Sequence, residues 1–171
     1  MHTKGKAILA LQKEFFSRPS HLVAPDLIGC FLIKRISKNE YLSGVIVETE
    51  AYSQEESSCH GFRGKTKRNE TLFGEPGNLY IYLSYGINHC VNVVTGNKNW
   101  ANGVLLRSIA IYGEDERIAS GPGLLARRYG LSKKHNNLYL SPENNFWLSE
   151  GNDYKKMGKI VQTKRIGISQ A

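Results

Sequence analysis

Apolar and polar residues alternate most clearly at Leu79, Ile81 and Leu83, which interleave with Tyr80, Tyr82 and Ser84. A second alternating run, Ile87 to Val94, follows across Tyr85-Gly86, so the two read as strands of a β-hairpin with an aromatic residue near its tip. Val104 to Tyr112 predicts another strand, interrupted by Arg107 and Ser108, and Cys30 to Ile36 a further one. Val45-Ile46-Val47 opens a strand after Gly44. Helical spacing predicts a short helix over Leu11 to Phe16, a second starting near Pro19 and Ser20 and ending by Gly29, and a third between Ser120-Gly121-Pro122 and Gly130. Phe146 to Leu148 and Lys159 to Ile168 read as short strands. Between strands, Ser53 to Asn78 is a long polar loop, and a loop of that length in a compact domain is usually functional.

Composition narrows the class of molecule. The 171 residues fit one domain, with 23 Lys+Arg against 15 Asp+Glu and a formal net charge of +8. That balance favours a polyanionic partner. The apolar runs, such as Ala7 to Leu11, are too short to span a bilayer, and Gln12-Lys13-Glu14 ends that run before it could act as a signal segment. A soluble intracellular protein is expected. Cys30, Cys59 and Cys90 form no C-x-x-C pair and leave an odd count, which argues against a disulfide framework and a zinc ribbon.

The candidate chemistry lies around the long loop. In a strand running from Val45 to Ala51, Glu48 and Glu50 share a face, roughly 7 Å apart along the chain. Pattern alone does not choose between them, and a solvated edge with two ordinary carboxylates is an equally physical reading. Arg107, within a strongly apolar strand, either pairs its guanidinium with a carboxylate, for which either glutamate would serve, or snorkels to solvent at a sheet edge. Gly61-Phe62-Arg63-Gly64-Lys65-Thr66 ends like a phosphate loop, but two residues separate its glycines instead of four, so nucleotide binding is rejected. Arg63, Lys65, Lys67 and Arg68 in this loop suit phosphodiester contacts. Tyr52, His60, Tyr80, Tyr82 and Tyr85 supply aromatic faces beside that charge, a combination suited to stacking bases while cations track phosphates. Tyr85 at the hairpin tip has no core to enter and could wedge between base steps.

The segments Val47-Glu48-Thr49-Glu50-Ala51-Tyr52, Lys65-Thr66-Lys67-Arg68-Asn69, Pro76-Gly77-Asn78-Leu79-Tyr80-Ile81-Tyr82 and Tyr85-Gly86-Ile87-Asn88-His89-Cys90-Val91-Asn92 resemble the alkyladenine, or 3-methyladenine, DNA glycosylase family, in its order and spacing. Val104-Leu105-Leu106-Arg107, Ser120-Gly121-Pro122-Gly123 and Arg165-Ile166-Gly167-Ile168 extend the likeness over nearly the whole chain.

The resemblance implies an α+β fold: a single domain, residues 1–171, with a curved, mostly antiparallel sheet, flanking helices and a protruding DNA-inserting hairpin. It implies a monofunctional, monomeric base-excision enzyme that flips a damaged purine from double-stranded DNA and hydrolyses its N-glycosidic bond, with no cofactor and no metal. Glu50 matches the general base, Arg107 a residue holding the attacking water, and the Ile166 carbonyl a third contact to that water. Tyr52, His60 and Tyr82 match the base-pocket walls, Asn92 the position that limits entry of guanine, and Tyr85 the side chain replacing the flipped nucleotide. Family members continue past the segment matching Arg165 to Ile168 into a strand rich in Trp, Arg and Phe, whereas this sequence ends at Ala171. Two other readings compete: a damage-recognition module, which would not need Glu50, and a metal-dependent nuclease using Glu48 and Glu50 as ligands.

Overall fold

The period-two alternation of the hairpin sorts its side chains onto two faces of a sheet, and each face buries a different cluster. In the computed structural model, which describes residues 9–151 and 158–165, strands β1 (Phe31–Ser37), β2 (Glu40–Ser53), β3 (Leu79–Ser84), β4 (Asn88–Val94), β5 (Asn102–Ala110) and β6 (Phe146–Ser149) form one sheet in the order β3-β4-β5-β2-β1-β6. Every neighbouring pair is antiparallel. Helices α1 (Lys13–Phe16), α2 (Ser20–Leu27) and α3 (Pro122–Tyr129) accompany it. The fold is α+β, as the resemblance implies.

Leu79 and Ile81 of β3, Val91 and Val93 of β4, and Val104 and Leu106 of β5 enter the main core with Val23, Ala24 and Leu27 of α2 and Leu125, Ala126 and Tyr129 of α3. Each such aliphatic side chain contributes about 1.5–3 kcal/mol relative to exposure. The intervening residues turn to the other face, where Tyr80 and Val94 pack with Cys59, Leu72, Phe73 and Ala101, and with the half-buried Tyr52 and Tyr82. The long loop supplies Cys59, Leu72 and Phe73, the last two from a 3-10 turn at Glu70–Phe73. The loop therefore covers the face opposite the helices.

β2 carries the irregularity that matters for the site. Its pairing with β5 shifts register between Ile46 and Glu48 and again between Glu48 and Thr49, leaving Val47 and Arg107 without opposite numbers. Ile46 lies in the helix-side core, and Thr49, three residues later, donates from Oγ1 to the Ala24 carbonyl of α2 at 2.9 Å. Strict alternation cannot put both on one side. The bulge absorbs the odd residue, so Glu48 and Glu50 both face away from the helices.

Several boundaries differ from the sequence reading. β2 begins at Glu40 instead of after Gly44, forming a hairpin with β1 over Lys38-Asn39. Gly44 lies inside the strand because a Cβ there would come within 2.4 Å of Ile109 Cγ2 and 2.9 Å of the Tyr129 hydroxyl. α1 starts at Lys13, two residues later than expected. The strand expected over Lys159 to Ile168 is not formed at residues 159–165, where Ile160 and Val161 are exposed and no partner strand is present. Its last three residues lie outside the described ones. α3 has Pro122 in its first turn and ends on Gly130 in the left-handed region, as the Gly and Pro placement predicts.

Candidate active site

A cleft of about 360 Å³, including its open mouth, lies on the loop-covered face and is lined by Tyr52, Ser58, Cys59, His60, Leu72, Tyr80, Tyr82, Asn92 and Gly103. The elements dictate this list. Tyr80 and Tyr82 are the outward residues of β3, Asn92 is their neighbour on β4, and Tyr52 and Gly103 are a register pair of β2 and β5. Gly103 keeps the floor open, since a Cβ there would approach Leu72 Cδ1 to 2.9 Å.

The rings form one aromatic wall. His60 lies 4.4 Å from Tyr82 and 6.0 Å from Tyr80 between centroids, and Tyr80 and Tyr82 are 5.6 Å apart. His60 Nδ1 is 2.9 Å from the Tyr80 hydroxyl. Burial, helped by the nearby Arg68, lowers the His60 pKa, so the ring is neutral at pH 7 and can accept the Tyr80 proton at Nδ1, which leaves Nε2–H as a donor. Burial likewise pushes the Tyr80 phenol up to about 12 and raises the Cys59 and Cys90 thiols. Asn69 holds the loop that delivers His60: its Nδ2 donates to the His60 carbonyl at 2.8 Å and the Gly64 carbonyl at 3.0 Å, and its Oδ1 accepts from the Thr66 amide at 2.7 Å. Asn92 Nδ2 donates to the Tyr80 carbonyl at 3.2 Å.

Glu50 stands beside this cleft with its side chain only 9% exposed. Its Oε1 accepts from Arg107 Nη1 at 3.1 Å and its Oε2 from the Tyr52 hydroxyl at 2.7 Å. Two oxygens offer about four acceptor positions, so a carboxylate with two donors can still take a water. Arg107 also donates from Nε to Glu48 Oε1 at 3.1 Å, and Glu48 Oε2 accepts from Ser108 Oγ at 3.0 Å. The Ser108 oxygen in turn accepts from the Gly121 amide at 3.2 Å. The guanidinium thus bridges both glutamates, which the sequence had left as alternatives, but their settings differ: Glu48 is 48% exposed. A cation already lies between the two carboxylates that a nuclease would need for metal. Burial, then the hydrogen bond to Glu50, raises the Tyr52 pKa, so its phenol stays protonated and donates.

At the hairpin tip, in the three-residue loop Tyr85-Gly86-Ile87, Tyr85 is 87% exposed, and Tyr85 and Gly86 both have positive φ, 49° and 69°, as the central residues of a primed turn closed by the Ile87 amide on the Ser84 carbonyl. Ile87, which received no role in the sequence reading, is exposed beside it. Arg63, Lys65, Lys67 and Arg68 are all exposed, and none makes an ion pair among the described residues. Ile166 lies outside the described residues. Its neighbour Arg165, noted in the sequence only as part of a family segment, reaches Ala51, Ser58, Glu56 and the Tyr52 ring. No local pattern foretold those contacts, which join residues more than a hundred positions apart.

A family model described as methylpurine-DNA glycosylase matches residues 14–171. The chain belongs to the methylpurine-DNA glycosylase family. Among its relatives, a Synechococcus protein (strain JA-3-3Ab) is 37% identical over 172 residues, covering 92% of this chain and 88% of the relative. A Carboxydothermus hydrogenoformans protein is 38% identical over 173 residues, covering 94% and 90%. Both carry the name "Putative 3-methyladenine DNA glycosylase". As a member of the methylpurine-DNA glycosylase family the chain is a DNA glycosylase, an enzyme of base excision repair acting on DNA. Among its described residues no helix is long and apolar enough to cross a membrane.

Proposed function

We propose that this chain, as one domain and one monomer, turns an alkylated or deaminated purine of the 3-methyladenine, hypoxanthine and ethenoadenine class out of duplex DNA and hydrolyses its glycosidic bond. The observation that carries the reading is the setting of Glu50: a nearly buried carboxylate, oriented by Arg107 on one oxygen and the Tyr52 hydroxyl on the other, beside an aromatic cleft. Glu50 takes a proton from water as the water oxygen bonds to C1′. The C1′–N bond breaks, and its electron pair leaves with the base. A cationic alkylated purine departs neutral, whereas hypoxanthine must gain a proton. Arg107 and the Tyr52 hydroxyl aim the Glu50 carboxylate, and the Ile166 carbonyl is the third proposed contact to the water.

Tyr52, His60 and Tyr82 sandwich the base, and cationic or electron-poor rings stack well on such faces. Asn92 disfavours the 2-amino group of guanine. Tyr85 fills the space the nucleotide vacates, and Arg63, Lys65, Lys67 and Arg68 hold phosphates. Because water is the nucleophile, the product is an abasic site in an uncut strand.

The test uses duplex DNA with one hypoxanthine, incubated in EDTA, scored for strand breaks before and after alkali. Wild-type protein should give breaks only after alkali. Glu50→Gln should bind the same duplex but excise more slowly by a factor on the order of 10²–10⁴. Direct strand cutting that depends on metal, or binding without base release by the wild type, would overturn the reading.

A further inference from the structure

We infer that Arg165 is a positioning residue for the base pocket, acting through Tyr52. This rests on the proposed role of Tyr52 as a pocket wall. Residues 158–164 are exposed, and Arg165 is the point at which this segment returns to the protein, its side chain 29% exposed. Its guanidinium makes four different contacts at the end of β2 and in the loop that follows. Nη1 donates to Ser58 Oγ at 3.0 Å, Nη2 donates to the Ala51 carbonyl at 2.5 Å and pairs with Glu56, and Cζ lies over the Tyr52 ring, 4.5 Å from its centroid. Ser58 and Tyr52 line the cleft, whereas Arg165 does not. The cation therefore rests against the pocket wall without occupying the pocket.

Two duties meet in Tyr52. Its ring lines the cleft, and its hydroxyl orients Glu50 at 2.7 Å. A tyrosine at the end of a strand, half-buried and next to a long loop, has ring freedom that its own strand does not remove. A planar guanidinium fixed by a backbone carbonyl, a hydroxyl and a carboxylate removes it, because the plane must stay parallel to its hydrogen-bonding fork. The partly exposed ion pair with Glu56 adds little by itself and offsets the cation, so the geometry of the fork matters more than its charge. Lysine keeps the charge and loses the fork.

The experiment compares wild type, Arg165→Lys and Arg165→Met in single-turnover excision of hypoxanthine at saturating enzyme, with binding to undamaged duplex and thermal melting measured alongside. Both variants should excise roughly ten- to a hundredfold more slowly, as small misplacements near a reacting centre do. Undamaged-duplex affinity should hold within about twofold and the melting temperature within about 2 °C, since the segment is exposed. Wild-type rates in Arg165→Met, full rescue by Arg165→Lys, or melting that falls in step with activity would each overturn the inference. A readout independent of turnover is the fluorine spectrum of 3-fluorotyrosine-labelled protein, with Tyr52 assigned by Tyr52→Phe. The Tyr52 signal must move or broaden in Arg165→Met; if it does not, the inference fails even where excision is slow. Absence of excision by the wild type would instead overturn the glycosylase chemistry proposed above, and the fluorine spectrum would still judge the contact.

Discussion

Glu48 and Glu50 show how two identical side chains two residues apart acquire different work. The register shift in β2 turns both outward, and Arg107 of β5, left without an opposite residue in β2, fills the space between them. Each carboxylate takes one donor per oxygen, Arg107 and Tyr52 for Glu50 and Arg107 and Ser108 for Glu48, but Glu50 is nearly buried beside the cleft whereas Glu48 is half exposed. Glu48 is therefore linked to Glu50 through the shared guanidinium. Replacing Glu48 with Gln keeps an acceptor for Arg107 Nε and removes its charge, so excision should slow by about tenfold, well short of the Glu50→Gln loss, with little change in melting. Single-turnover rates check this. The Ser108→Ala and Glu48→Gln changes should be non-additive, because both loosen the same guanidinium. None of this could be read from spacing, which left the two glutamates equivalent. Burial separates them, and it depends on how the rest of the chain covers the two ends of this stretch of β2. The family resemblance favoured Glu50 over Glu48, and the structure shows that the two differ in burial.

Among the elements, the hairpin was the most legible and the long loop the least. Period-two alternation marks β3 and β4 because one face packs on helices and the other on the loop, so both faces leave a pattern. The loop has no period, since its shape comes from the three hydrogen bonds of Asn69 and from Leu72 and Phe73 reaching inward. Residues 159–165 misled because apolar residues there suggest a strand, and nothing in a linear pattern reports whether a partner edge is at hand. The hairpin turn also contains a conflict between stability and use. Tyr85 adopts φ 49°, a region costly for a residue with a Cβ and ring, where Asn followed by Gly is favoured. Tyr85→Asn should raise the stability by about 1 kcal/mol, or ~2–4 °C in melting temperature for a chain of this size. The same change removes the wedge proposed to fill the vacated stack, so excision from duplex DNA should fall. Excision from a single-stranded oligonucleotide, which has no stack to refill, should fall much less. Equal losses on both substrates would argue that Tyr85 serves the pocket and not the duplex.

At the scale of the whole molecule, a net charge of +8 announces a polyanion but says nothing of where it lies. The fold places Arg63, Lys65, Lys67 and Arg68 on the loop that also delivers His60 to the cleft, tied there by Asn69, so charge and pocket share one support. The β1–β2 turn with Lys38 sits at the opposite end of the 14-residue strand β2 from the start of that loop. Overall charge and placed charge then make different predictions. If the loop cations hold phosphates, removing Lys65 and Lys67 together should weaken binding to damaged and undamaged duplexes alike and reduce the slope of log affinity against log salt by about 2, near one per contact. Lys38→Ala removes one charge from the turn at the other end of β2 and should leave the slope unchanged. A titration of duplex binding between about 50 and 200 mM salt separates the two cases. An equal slope change per charge for Lys38→Ala and the loop variant would mean that the protein is attracted to DNA by its total charge, and that the loop has no place of its own in the interface.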